Sequence, residues 1–273
     1  MDDKIILITG ASSGLGEACA KFLFKKGYKV YGTSRNVSKI DSSKKDTFVM
    51  VQMDVNDEKS VKKAVASIIE KEGRIDVVVN NAGWGVSGSI EDIEVTDAKN
   101  LFETNFFGTL RVIKEVLPLM RKQKKGKIIN ISSIGGVLGL PFQGLYSATK
   151  FAIEGMTEAL RMEVKSFGID VVLVEPGDFK TGFTASRKKA RSSDSSSVYY
   201  SASNTAHKIF ENDEQNGSDP ILVAKLVDKI IHSSNPKLRY RVGSFSQKFI
   251  ASMKGVMSDR VVQWILMKYY KLH

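Results

Sequence analysis

The chain has 273 residues, 42% of them hydrophobic and 26% charged, a composition typical of a globular protein with one sizeable core. Its formal net charge of +11 favours anionic ligands, but the basic runs at 121–127 and 187–191 carry no nucleic-acid-binding motif, so we expect no nucleic-acid partner. One cysteine excludes an internal disulfide, and three scattered histidines lack metal-ligand spacing, so we expect no metal site. Neither a signal peptide nor a transmembrane run is evident, which predicts a cytoplasmic protein.

Strands and helices alternate along the first two-thirds of the chain. Continuous apolar runs, rather than alternating ones, favour a parallel sheet covered by helices on both faces. Repeated β-α units predict a doubly wound α/β Rossmann fold with seven strands, forming one domain over residues 1–273. Predicted strands lie at 4–9, 28–34, 46–55, 75–83, 126–133, 169–177 and 238–243, and predicted helices at 14–26, 57–72, 96–121, 144–167 and 220–231.

The turn after the first strand reads TGASSGLG, residues 9–16. Its glycines allow a tight turn and a close approach to a pyrophosphate at the N-terminus of the next helix. Its position directly after the N-terminal strand favours a dinucleotide site over a turn without a ligand. The residues predicted to bind the cofactor here are Gly10, Ser12, Ser13, Gly14, Leu15 and Gly16.

The end of the second strand indicates which dinucleotide is bound. Ser34 and Arg35 stand where an acid would select NAD, and a guanidinium there suits the 2′-phosphate of NADP(H). The alternative is that Arg35 is an exposed loop residue. Asp54, followed by Val55, is predicted to contact the adenine, although an Asx-turn is an equally good interpretation of this aspartate.

Tyr146 and Lys150 are four residues apart, so on a helix they share a face. They form either an ordinary surface pair or a phenol whose proton is mobile beside a cation. Motifs in the order TGASSGLG, NNAG (80–83), Asn105 in TNFFG, YSATK (146–150) and PGDFKT (176–181) accompany the pair. Over residues 1–180 the chain resembles the short-chain dehydrogenase/reductases.

The resemblance implies a catalytic tetrad and its chemistry. Tyr146 would exchange a proton with the substrate oxygen, and Lys150 with the nicotinamide charge would lower the tyrosine pKa. Ser133, thirteen positions before Tyr146, would polarise that oxygen, and Asn105 would continue a proton relay; the preceding Thr104 replaces the family's usual asparagine. Further expected cofactor contacts are Tyr146, Lys150, Asn81, Ala82, Gly83, Pro176, Gly177 and Thr181.

The last third of the chain is expected to determine the substrate. Residues 178–220 are predicted to form a substrate loop or lid, because 186–206 are serine-rich and basic; a disordered surface insertion is the alternative. Residues 244–273 are predicted to be helical. Three roles remain open for this tail: packing on the core or in a dimer, formation of one wall of a lipophilic pocket, and peripheral contact with a membrane. Such a tail is similar to that of the hydroxysteroid, retinol and acyl-lipid reductase branch.

These features predict an NADP(H)-dependent oxidoreductase that interconverts a secondary alcohol and a ketone or aldehyde, on a lipophilic small molecule. Two alternatives remain: a reductase of 3-oxoacyl thioesters or other polar carbonyls, and a non-catalytic NADPH-sensing or scaffold protein. The resemblance also implies a homodimer or homotetramer.

Overall fold

The computed structural model describes residues 3–37, 48–183, 187–190 and 193–272. Seven strands form one parallel sheet in the order β3-β2-β1-β4-β6-β7-β9, which confirms the predicted doubly wound fold. Two further short strands, β5 and β8, pair with each other outside this sheet. The strands are β1 Ile5–Ile8, β2 Lys29–Ser34, β3 Val49–Gln52, β4 Val77–Asn80, β5 Val86–Ser87, β6 Gly126–Ile131, β7 Ile169–Pro176, β8 Lys188–Lys189 and β9 Arg239–Val242.

Nine α-helices are present in the described ranges: α1 Gly14–Lys25, α2 Glu58–Glu72, α3 Val95–Phe102, α4 Thr109–Gln123, α5 Gly144–Glu163, α6 Tyr200–Gln215, α7 Ile221–His232, α8 Phe245–Met253 and α9 Asp259–Tyr269. A π-helical turn, Glu103–Gly108, joins α3 to α4, and short 3₁₀ turns occupy Ile134–Gly136 and Lys165–Phe167.

Both faces of the sheet are buried, which explains the continuous apolar strands. In β1, Ile6 and Ile8 point into a core shared with α1 and α7, whereas Ile5 and Leu7 point into a core shared with α2, α4 and α5. Each of these four side chains is at most 2% exposed. Burying such a side chain contributes about 1.5–3 kcal/mol to stability, so a polar residue on either face of β1 would destabilise the fold.

The prediction of one long helix at 96–121 is wrong in the middle of that range, because a π-helical turn interrupts the helix at Glu103–Gly108. Gly108 packs directly on the segment between β3 and α2, because a Cβ added at Gly108 would lie 2.8 Å from Val55 Cγ2. The turn directs Asn105 inward, leaving it 1% exposed. π-Helical turns inside helices are frequent at functional sites. Helix α4 continues past Pro118 to Gln123.

The loop predicted for 186–206 is also partly wrong. Residues 188–189 form β8, and α6 begins at Tyr200. Three of its side chains, Ala206, His207 and Phe210, are buried, so this helix packs on the protein in spite of its serine-rich start. Residues 184–186 and 191–192 of the predicted loop lie outside the described ranges.

The N-terminus of helix α2 is capped by a side chain. The Asp57 carboxylate accepts a hydrogen bond from the Lys59 backbone N–H at 2.9 Å, which caps the helix. We expect Asp57→Ala to lower the free energy of unfolding by about 1 kcal/mol. Ser258→Ala is the matched control, since the Ser258 side chain makes no capping hydrogen bond at α9. Equal losses in the two variants, measured by urea unfolding, would contradict the assignment.

Candidate active site

A cavity of about 1030 Å³ lies at the carboxyl ends of the central parallel strands. In open α/β sheets this edge, where the strand order reverses, is where ligands bind. The cavity brings together residues that follow six different strands. Of the predicted site residues, it is lined by Gly10, Ser12, Ser13, Gly14, Leu15, Ser34, Arg35, Asp54, Val55, Asn81, Ala82, Gly83, Ser133, Tyr146, Lys150, Pro176, Gly177 and Thr181.

The glycine turn at one end of the cavity depends on its missing side chains. Gly10 and Gly14 adopt left-handed backbone conformations, with φ of +67° and +59°. At Gly16, which packs behind the turn and does not line the cavity, an added Cβ would lie 2.4 Å from the Gly10 carbonyl oxygen. Because the turn leads into α1, its backbone N–H groups form the kind of cradle that binds a pyrophosphate.

Asn81 braces this turn rather than projecting freely into the cavity. Its Nδ2 donates to the carbonyl oxygens of Thr9, at 3.0 Å, and Gly10, at 3.1 Å. The Thr9 hydroxyl in turn accepts hydrogen bonds from the backbone N–H groups of Asn81 and Ala82. The sequence predicts that Asn81 contacts the cofactor. In the structure its side chain holds the glycine turn in shape.

The predicted ribose and adenine contacts lie at the other end of the cavity. Arg35 is exposed at the cavity edge, directly after β2, and Ser34 is partly buried beside it. Asp54 lines the cavity and also accepts a hydrogen bond from the Asn56 backbone N–H at 3.0 Å. The Asx-turn is therefore formed, and it leaves Asp54 in position to meet a ligand.

Tyr146 and Lys150 lie in the first two turns of α5 and both face the cavity. Lys150 is 6% exposed, which excludes the ordinary surface pair. Its Nζ donates to the Ile131 carbonyl oxygen at 2.8 Å and lies 5.8 Å from the centroid of the Tyr146 ring. The Ser133 hydroxyl, held by the Gly135 N–H at 3.0 Å, also hydrogen-bonds the Tyr146 side chain.

Burial controls the protonation of this pair. It raises the pKa of Tyr146 to about 12, with the hydrogen bond from Ser133 and the charge of Arg187 acting in the opposite direction. The lowering of this pKa by Lys150 together with the nicotinamide charge stays a prediction for the complex with the oxidised coenzyme. Burial also lowers the pKa of Lys150 to about 8. At neutral pH the site therefore holds a neutral phenol beside an ammonium, which suits proton donation.

Asn105 does not line the cavity. Its Oδ1 accepts from the Trp84 N–H at 3.0 Å, and its Nδ2 donates to the Trp84 carbonyl at 3.0 Å and to Thr149 Oγ1 at 3.1 Å. Its backbone carbonyl accepts from the Thr109 hydroxyl at 2.9 Å. These bonds join the segment after β4 to α5, so the side chain of Asn105 positions the Tyr146 helix.

Several cavity residues escaped the sequence analysis. Gln247 of α8 reaches back to the end of β7, where its Oε1 accepts from the Asp178 N–H at 3.0 Å. Arg187 and Glu214 form a buried ion pair 27 residues apart. No local pattern links such distant positions, whereas Asp178 stood inside the PGDFKT motif. The apolar part of the lining includes Trp84, Leu138, Leu140, Phe183, Phe210, Ile250, Ile265 and Leu266.

In ranges 3–37, 48–183, 187–190 and 193–272, no group of three histidine, cysteine or acidic side chains is arranged to hold a metal ion. Within the same part of the chain, every helix is too short or too polar to cross a bilayer.

The glycine turn, the strand-end cavity and the Tyr146–Lys150 pair define an oxidoreductase of the dinucleotide-binding Rossmann class. The family model described as short chain dehydrogenase matches residues 4–192, and the chain belongs to that family. It is 44% identical over 276 residues to 3-ketodihydrosphingosine reductase of Bacteroides thetaiotaomicron, with all of both chains covered.

Two solved structures show the same fold. A short-chain dehydrogenase from Streptomyces avermitilis superposes with a TM-score of 0.84 at 29% identity, covering 99% of this chain and 98% of the other. ElxO with NADP bound superposes with a TM-score of 0.71 at 31% identity, covering 88% and 96%. The resemblance seen in the sequence motifs is thus confirmed at the level of family and fold.

The lowered pKa of Lys150 predicts a basic limb in the pH profile. The lysine is charged below its pKa of about 8, so kcat/KM for the coenzyme should be constant there and decrease as pH rises through that value. This ratio is the relevant one because it reports ionisations of the free enzyme. Lys127→Arg, which changes a second buried lysine outside the cavity, is the control and should leave the limb in place. A flat profile at pH values well above the Lys150 pKa would contradict the assignment.

Proposed function

We propose that this chain is an NADPH-dependent reductase of a long-chain lipophilic ketone, with 3-ketodihydrosphingosine as its substrate. One observation carries the reductive direction: Tyr146 is held neutral by burial, in hydrogen-bond contact with Ser133, at the wall of a partly apolar chamber. The match to the Bacteroides reductase along both whole chains supports the choice of ketone.

The residues of the cavity fit a nicotinamide dinucleotide. At Gly10 an added Cβ would lie 2.9 Å from Ala82 Cα, so the cradle requires glycine there as well as at Gly16. The cavity edge after β2 presents the Arg35 guanidinium and no carboxylate from β2 itself, which favours a 2′-phosphate over a ribose hydroxyl. The bound coenzyme would supply a hydride to the carbonyl carbon.

The chain itself would manage the substrate oxygen and its proton. Ser133 donates a hydrogen bond to the carbonyl oxygen, and Tyr146 transfers its phenolic proton to the same oxygen as the alcohol forms. Lys150, held on the Ile131 carbonyl, remains charged and stabilises the phenolate left behind. The side chain of Asn105 holds α5 against the segment after β4. A proton relay through its backbone stays a prediction.

The substrate half of the cavity supports a lipophilic chain. Phe183 and Phe210 come from the 178–220 segment, and Ile250, Ile265 and Leu266 come from α8 and α9. We infer that 178–220 is the lid and that the tail forms part of the pocket wall. The tail also packs on the core, because Ala251 and Val262 are buried against Ile134 and Leu138.

The remaining expectations stay predictions. The tail exposes Phe245, Phe249 and Trp264, which is compatible with peripheral contact with a membrane or with a second subunit. A homodimer or homotetramer, a cytoplasmic location and a single domain with 244–273 as its extension likewise await measurement. The polar-carbonyl and non-catalytic alternatives are decided by the assay below.

We expect Tyr146→Phe to lower kcat for reduction of 3-ketodihydrosphingosine by at least about a thousandfold while NADPH affinity changes less than about threefold, because only the proton donor is removed. Tyr200→Phe is the control, since Tyr200 is exposed and does not line the cavity. NADPH oxidation followed by absorbance measures turnover, and fluorescence titration measures binding. Turnover of 3-oxoacyl thioesters but not of the lipid ketone would favour the polar-carbonyl alternative, and no turnover of either would favour a sensor.

We expect Arg35→Asp to raise the Kd for NADPH by about thirtyfold or more, since a carboxylate would repel the 2′-phosphate, and to change the Kd for NADH much less. Arg260→Asp makes the same charge change at an exposed position outside the cavity and should leave both constants unchanged. An unaltered ratio of the two Kd values in Arg35→Asp would show that another residue selects the dinucleotide.

A further inference from the structure

A cluster of charged side chains lines the substrate half of the cavity next to Tyr146. Asp178 directly follows Gly177, and Asp213 and Glu214 come from the last turn of α6. Arg187 is the buried cation of the group. We call these four residues (Asp178, Arg187, Asp213 and Glu214) the head-group cluster. It places three carboxylates and one guanidinium in a chamber whose other walls are largely aromatic and aliphatic.

Arg187 and Glu214 form a rigid wall. Their side chains are only 1% and 7% exposed, and Arg187 Nη1 donates to Glu214 Oε2 at 3.3 Å. The guanidinium carbon lies 4.9 Å from the ring centroid of Phe210 and 5.4 Å from that of Phe183. The Nε–H of Arg187 has no hydrogen-bond partner among the described residues, although Arg187 is only 8% exposed. A buried donor left without an acceptor is costly, so this atom indicates that a ligand oxygen completes the site.

Asp178 and Asp213 have neutral partners. Gln247 Nε2 donates to Asp178 Oδ2, and the Tyr269 hydroxyl donates to Asp213 Oδ2. Neither carboxylate lies in an ion pair with a lysine or arginine in the part of the chain that the structure describes. Arg187 is already paired with Glu214, so the negative charge of these two aspartates is not matched by a cation in direct contact.

The electrostatics of the cluster point the same way. Burial raises the pKa of Asp178 to about 6, and the charges of Glu214 and Asp213 add to the increase. The hydrogen bond from Gln247 and the charge of Arg187 act in the opposite direction, but they do not offset the effects of burial and like charge. Glu214, Asp178 and Arg187 all influence the pKa of Tyr146, so the cluster lies within electrostatic reach of the phenol. A cationic group bound here would sit close to the reacting carbonyl.

We propose that the head-group cluster makes the enzyme selective for ketones that carry a protonated amine on the carbon next to the carbonyl. Asp178 and Asp213 accept hydrogen bonds from the ammonium, and Arg187 Nε donates to a neighbouring hydroxyl oxygen. This inference rests on the proposed function, because it assigns the polar end of the ketone that Tyr146 reduces. It adds a recognition role for four residues that the hydride and proton transfers do not require.

Three ketones of equal chain length test this selectivity: 3-ketodihydrosphingosine, its N-acetyl derivative, and a long-chain 3-ketone without nitrogen. With the full chain and saturating NADPH at neutral pH, we expect kcat/KM for the free amine to exceed that for either neutral ketone by at least about tenfold. In Asp178→Asn this preference should decrease by about tenfold, and Asp213→Asn should decrease it in the same direction. Asp259→Asn is the matched control, since Asp259 is exposed and lies outside the cavity, and it should keep the preference of the parent.

The outcomes separate this inference from the proposed function. Reduction of all three ketones with equal kcat/KM would overturn the amine selectivity while leaving the reductase assignment intact. A preference for the amine that persists in both aspartate variants, with NADPH binding retained as evidence of folding, would show that the cluster is not its source. Failure to reduce any of the three would overturn the proposed function, and the inference with it.

Discussion

The hydrogen bond from Lys150 to the Ile131 carbonyl is the contact on which the arrangement of the site depends. Ile131 is the last residue of β6, and Lys150 lies in the second turn of α5, so one buried bond of 2.8 Å ties this helix to the sheet. Ser133 follows the strand and Tyr146 precedes the lysine on the helix. The bond therefore fixes the two hydroxyl groups relative to each other. A free lysine with a fully hydrated ammonium could not hold them in this way, because its side chain would keep its rotamer freedom.

The burial that anchors Lys150 also determines what Tyr146 can do. Removing the phenol from water favours its neutral form, and this effect exceeds the stabilisation that Ser133 and Arg187 give to the phenolate. The proton thus stays on the tyrosine at neutral pH and is available to a substrate oxygen. Oxidation of an alcohol would instead need the phenolate before the reaction begins. The same desolvation that positions the pair consequently favours reduction as the direction that the site supports.

Local sequence predicted much of the fold and one side of the site, because those features arise from short-range patterns. Continuous apolar strands, the glycine turn and the Tyr146–Lys150 spacing each follow from residues close together in the chain. The π-helical turn at Glu103–Gly108 could not be predicted in this way, since Gly108 packs on Val55, a residue distant in sequence. Nor could the Arg187–Glu214 pair, whose members meet only after α6 has packed on the sheet. Helix α6 itself was mistaken for a loop because its serine-rich start hid the spacing of Ala206 and Phe210.

Gln247 shows how the C-terminal tail reaches the cavity residues at the end of β7. At Gly177 an added Cβ would lie 2.1 Å from Gln247 Oε1, so a side chain at this position would displace the Gln247 amide from the end of β7. The same oxygen accepts the Asp178 N–H, and the amide nitrogen donates to the Asp178 carboxylate. A change in the tail would therefore alter the segment expected to bracket the nicotinamide, as well as the acid beside it. Under the proposed function, coenzyme contact and substrate recognition meet at residues 177 and 178, which would explain why a helix so distant in sequence belongs to the site.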